Sequence, residues 1–190
     1  MTRVIPQKNH VKVSTLNNQK LYDNAFQALR GQDEDSGIRG SMLFRIFQYP
    51  SIGSWKSWIF YTKDRTLKGT GFLREMKWEG ESTIASSSGP KIYHRAHNLS
   101  EDNVTAVLAA IPRSAIVLMP TLPQPLYQDG TSVGIELFYT PAFQLSWNNV
   151  DGGPEQWSPF VEFCDQMIEM FEDICGKNED RWRVYPPSSE

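Results

Sequence analysis

The sequence predicts an α+β fold: an antiparallel sheet of about six strands with helices packed mainly on one face. Three observations predict it. Residues 42–78 hold three successive extended segments rich in aromatic and branched side chains, separated by turn residues. Residues 132–147 hold two more. The helix expected at 159–175 then presents a broad apolar stripe, which needs a sheet face to cover it.

At 190 residues the chain can bury a core without a disulfide or metal staple, and it reads as one domain over 1–190. A loose arm at 1–13 and a tail at 177–190 flank it. Along the body, Ser14 offers a helix cap, and Leu21, Ala25, Ala28 and Leu29 recur at helical spacing until Gly31. The Gly-rich acidic stretch 31–41 is a connection. Strands are expected at 42–49, 55–62 and 71–78. Phe44 and Ile46 flank Arg45 in the first; in the third, Phe72, Met76 and Trp78 share one face, and Leu73, Glu75 and Lys77 the other. This alternation predicts a meander half-buried on one side.

A short strand at 91–96 follows the small-residue loop 81–90. Ser100 caps a helix that runs to Ile111, with Glu101 and Asp102 in the first turn, where the helix dipole favours carboxylates. Residues 115–119 suit a buried strand or packed loop. Strands at 132–139 and 143–147 lead through the turn cluster 148–154 into the last helix. There Ser158 suits the N-cap, Pro159 the first helical position and Gly176 the stop. Trp147 and Trp157 are expected to meet across that turn, and a fully buried Trp157 would be an anchor worth about 3–5 kcal/mol.

Composition narrows the function classes. Net charge is −3, from 19 basic and 22 acidic residues, so the basic excess that phosphate binding requires is missing and a nucleic-acid partner is disfavoured. Residues 1–20 lack the apolar segment of a signal peptide, and the longest apolar run, 115–119, is too short to span a bilayer. A cytoplasmic chain without a membrane partner is expected. Cys164 and Cys175 fall on one helix with Cα atoms roughly 16 Å apart, beyond disulfide reach, and read as reduced, buried thiols. Cys164 in particular sits mid-stripe, where burial suppresses thiol reactivity.

Motifs for chemistry are sparse. There is no nucleophile elbow, phosphate loop or dinucleotide fingerprint, so no cofactor is implied; Gly69-Thr70-Gly71 leads into a strand and reads as a hairpin turn. His94 and His97 form an H-x-x-H pair. On a helix this pair could share a metal, but at a strand end residues three apart point to opposite faces, so no metal ligands are assigned. They remain the candidate catalytic residues, and need Glu75 or Asp129 to converge on one of them in a cleft. Arg45, Lys56, Arg74 and Lys77 are interleaved with aromatics on the meander, and would make an RNA-stacking platform if they lined one open face. Glu162, Asp165, Glu169 and Glu172 lie opposite the apolar stripe of the last helix, either as an ordinary solvated face or as a binding surface for a basic protein.

In the C-terminal third, Asp129-Gly130-Thr131 opens a strand, Ser146-Trp147 ends a second, and Pro154-Glu155-Gln156-Trp157 leads into the terminal amphipathic helix. This arrangement resembles small bacterial proteins of the immunity-protein type. The resemblance implies a protein that caps a toxin, and no binding residue can be carried over from it. The expectation is therefore a non-enzymatic protein-interaction domain of the bacterial immunity or regulatory kind. The alternatives are a small hydrolase or metal-dependent enzyme using His94 or His97, and third an RNA-binding module. The partner and the oligomeric state stay open.

Overall fold

The structure is a computed structural model that describes residues 23–24, 27–30, 41–51, 53–62, 70–79, 91–112, 130–138, 143–149, 152–176 and 182–185. In chain order these form β1 (Ser41–Pro50), β2 (Trp55–Thr62), β3 (Gly71–Glu79), β4 (Lys91–Leu99), α1 (Glu101–Ala110), β5 (Thr131–Leu137), β6 (Phe143–Asn148), a 3₁₀ turn (Glu155–Trp157), α2 (Ser158–Gly176) and β7 (Arg183–Tyr185). The α+β expectation holds, with seven strands among the described residues instead of about six. The seventh, β7, lies in the segment read as a tail, and β4 runs three residues further than its sequence pattern marks. The expected arm 1–13, the segment 115–119 and Asp129 lie outside the described residues.

The strand order is β6-β5-β1-β2-β3-β4-β7, with every neighbouring pair antiparallel. β1 to β4 form the expected meander. β5 then returns to the far side of β1, so that the hairpin β5–β6 extends the sheet on that edge. A bulge at Leu43 shifts the register between Met42 and Phe44. It turns both Leu43 and Phe44 towards the same core, while Met42 packs on the opposite side.

The face beneath α1 and α2 is the larger core. Phe44 stacks on Phe60 at 5.2 Å, meets Phe163 of α2 edge-on at 5.4 Å and lies 6.3 Å from Phe171, so one ring ties two strands to the long helix. Val104 and Val107 of α1 cover the neighbouring strip. The helix starts as its sequence predicts, with the Ser100 side chain accepting a hydrogen bond from the Asn103 backbone N–H.

The other face is also buried, which corrects the half-buried reading of the meander. Ala28 and Leu29, in a helical turn before β1, pack with Ile59, Tyr61, Phe72, Met76, Trp78 and Ile92. Strict alternation in β3 marks two different cores. The two faces close up tightly around β5 as well. Gly134 sits opposite Phe47, and a Cβ there would stand 2.5 Å from the Leu145 carbonyl oxygen, so only glycine lets the Phe47 ring lie across the strand.

The turn into α2 depends on Gly153, whose φ of +87° favours glycine and whose missing side chain leaves room for the Trp147 indole and Val161. Trp147 is fully enclosed, whereas Trp157 is only partly buried at the edge of the same core. Trp147, and not Trp157, is therefore the main anchor of the ββα unit. Trp147→Ala should cost about 3–5 kcal/mol and Trp157→Ala about half as much, as checked by urea unfolding. Equal losses in the two variants would show that burial does not rank these side chains.

Candidate functional site

The antiparallel register of β3 and β4 sets Glu75 opposite Arg95 and Leu73 opposite His97, so Glu75, Arg95 and His97 all face α2. Glu75 and His97 are diagonal neighbours on that face, within reach of each other's side chains. Cys175, on the last turn of α2, comes down on them. A carboxylate oxygen of Glu75, a ring nitrogen of His97 and the Cys175 Sγ all lie within 4.8 Å of one another. The three side chains are almost closed to solvent, at 2%, 5% and 0% exposure.

Charge inside this cluster is matched. Arg95 Nε donates to Glu75 Oε2 at 2.5 Å, with both side chains buried. Trp182, just before β7, lies with its ring 4.3 Å from the Arg95 guanidinium and covers the pair from outside. Burial pushes the Cys175 thiol well above its ordinary range; the negative charge of Glu75 and a hydrogen bond to it push the same way, while Arg95 opposes. The hydrogen-bond partner of the thiol is the Glu75 carboxylate. This favours a hydrogen-bonded thiol over a free nucleophile.

Apart from Asp129, the sequence-selected residues have definite places. His97 meets Glu75, as the enzymatic alternative requires, but in the interior. His94 pairs with Met76 and points to the opposite side of the sheet. The two histidines therefore do not converge. Arg45 and Arg74 share one face and are buried at 2% and 1% exposure, whereas Lys56 and Lys77 point to the other. A single open basic face, and with it the RNA platform, is not formed. Arg45 is held by Glu136 at 2.9 Å and donates to the Leu29 carbonyl, which closes the end of the helical turn before β1; Arg30 binds the second Glu136 oxygen. Lys56 pairs with Glu172 at 2.7 Å and Lys77 with Glu79.

Glu162, Asp165, Glu169 and Glu172 are all exposed along the outer surface of α2, joined by Asp173. Cys164 lies on the inner side, where burial raises its thiol pKa and Asp165 adds to the effect, in agreement with its reading as core. Cys175 is buried as the sequence predicts, but beside polar groups. Its helical spacing matched the apolar stripe, and nothing local to it in sequence marks the approach of β3 and β4.

Compared with known proteins, the chain matches no family model, no curated protein and no solved structure. None of the described helices is long and apolar enough to cross a membrane.

Two expectations follow from these interior charges and thiols. Arg95→Met strands the Glu75 carboxylate in the interior and should cost about 3–5 kcal/mol, and adding Glu75→Gln should restore part of the loss. A single variant no less stable than the double would show that the pair does not hold this region. For Cys164, the folded pKa lies above the reference value of 9.0. Its contribution is present below that value and declines as the pH rises above it, because the unfolded chain then releases the proton first. Its share of the loss is up to about 1.4 kcal/mol per pH unit above about pH 9, beside that of Cys175, and Cys164→Ala should make the decline shallower.

Proposed function

We propose that this chain is a non-enzymatic protein-interaction domain, of the immunity or regulatory kind, that binds a basic protein partner on the outer surface of α2. One observation carries the reading. Every charged residue of α2 is acidic (Glu162, Asp165, Glu169, Glu172 and Asp173), and its last turn holds no basic residue. The stripe runs about 16 Å along the helix.

That charge pattern works against the helix itself. Carboxylates three and four residues apart repel one another, by a few tenths of a kcal/mol per pair. Glu172 and Asp173 also stand at the negative end of the helix dipole, where a cation would stabilise. Glu172 is paired with Lys56 of the sheet. An ordinary solvated face would mix both signs. A single-sign stripe that lowers helix stability makes sense as a surface complementary to a positive partner, where it speeds and orients association.

The enzymatic alternative has less support. His94 and His97 lie on opposite faces of the sheet, and the carboxylate that meets His97 is sealed beneath α2. A cytoplasmic setting fits the interaction reading and the reduced state of both cysteines.

The test is capture from a lysate of the source organism, followed by affinity measurement on the purified partner. Tagged wild type should retain a basic protein stoichiometrically, with affinity falling steeply as salt rises. The triple variant Glu162→Lys/Asp165→Lys/Glu169→Lys should bind at least about 100-fold more weakly, or about 2.7 kcal/mol, while melting no lower than wild type. Undiminished binding by the folded triple variant would place the interface elsewhere and overturn this reading.

A further inference from the structure

We propose that Glu75, His97 and Cys175 bind a zinc ion that fastens the last turn of α2 to β3 and β4. This inference is independent of the acidic outer surface and concerns the opposite side of the same helix. Three elements distant in sequence deliver one carboxylate, one imidazole and one thiol to a single buried point. These are the donor types that zinc takes in proteins. The thiol and imidazole select against calcium and magnesium, which prefer oxygen donors alone.

The geometry is close to what the ion requires. Tetrahedral zinc with ordinary bond lengths holds its donor atoms roughly 3.3–3.6 Å apart. The three donors already lie within 4.8 Å of one another, so a closure of at most about 1.5 Å per pair, within the range of side-chain rotation, completes the set. The strand register fixes the first two: Glu75 and His97 sit on adjacent, hydrogen-bonded strands and face the same way. The third comes from a helix held to the sheet by Phe163 and Phe171.

The surroundings suit a bound dication. Arg95 holds Glu75 Oε2, and so orients the carboxylate as an outer-sphere partner does in metal sites. The thiolate offsets one charge of the ion, and the Glu75 carboxylate is shared between the ion and Arg95. On binding, the Cys175 S–H bond breaks, its proton leaves to solvent and the sulfur electron pair forms the S–Zn bond, with no change of oxidation state. A water molecule fills the fourth position of a three-ligand site. Since all three residues are enclosed, the ion would act as a fastener. Cys164, on the same helix with an apolar environment, offers an internal control.

Cobalt(II) is the probe. Chelator-treated full-length protein should bind one Co²⁺ per chain, with the visible bands of a tetrahedral site and a near-ultraviolet thiolate-to-cobalt band, and Zn²⁺ should displace it. Zinc should raise the melting temperature and chelator should reverse the rise. Cys175→Ala should abolish the thiolate band, and Cys164→Ala should leave it intact. X-ray absorption of the wild-type cobalt form needs no variant, and should report one sulfur together with nitrogen and oxygen ligands. A folded wild type with no tetrahedral cobalt spectrum overturns the proposal. So does a sulfur count of zero or two, or a thiolate band that survives Cys175→Ala.

Discussion

Burial of both faces of the central strands is the constraint on which the rest of the structure depends. β1, β2 and β3 carry side chains alternately to a core beneath α1 and α2 and to a second core that includes Ala28 and Leu29. A charge in the middle of these strands, unlike Lys56 and Lys77 near their ends, cannot reach water by choosing a face. It must be met inside the protein, because an unpaired buried charge costs several kcal/mol. Arg45 is met by Glu136 and by the Leu29 carbonyl, and Glu75 by Arg95. These pairs do more than neutralise charge. The first couples β1 and β5 to the helical turn that covers them, and the second sets the chemistry beneath the end of α2.

The long helix divides its residues between two tasks. Its inner side supplies Phe160, Phe163, Cys164, Met167, Phe171 and Cys175 to the sheet. The charged residues of its outer side are all carboxylates, at the expense of helix electrostatics. The inner packing is strong enough to tolerate that expense, since helices in proteins owe most of their stability to the burial of one face. A surface tuned for a partner can therefore be written on this helix without loss of the fold.

Much of the architecture was legible in the sequence because it rests on local rules. The cap at Ser100 and the three strands of the meander each follow from the chemistry of a few adjacent residues; Ser158, expected as a cap, is instead already helical because the 3₁₀ turn Glu155–Trp157 runs straight into α2. β7 was not legible: three residues, Arg183 to Tyr185, become a strand only because β4 offers an unpaired edge. The burial of both faces was not legible either. Leu73, Glu75 and Lys77 read as the open side of an alternating strand, yet Leu73 and Glu75 are buried beneath the helices. Period-two alternation reports that two faces differ, and says nothing about whether one of them meets water.

The candidate sites divide along the same line. The acidic stripe was visible from sequence because its residues belong to one helix, where spacing alone fixes which side chains align. The strand geometry likewise foretold that His94 and His97 would part. The meeting of Glu75, His97 and Cys175 was decided only by the tertiary structure, because it needs the β3–β4 register and the place where α2 comes to rest. By itself, then, the sequence determined the α+β class, the helices and meander, and the sign of the outer surface, all set by neighbours along the chain. Which charges are buried, what covers each face and which side chains converge depend on contacts between residues far apart in sequence, and no local pattern encodes these.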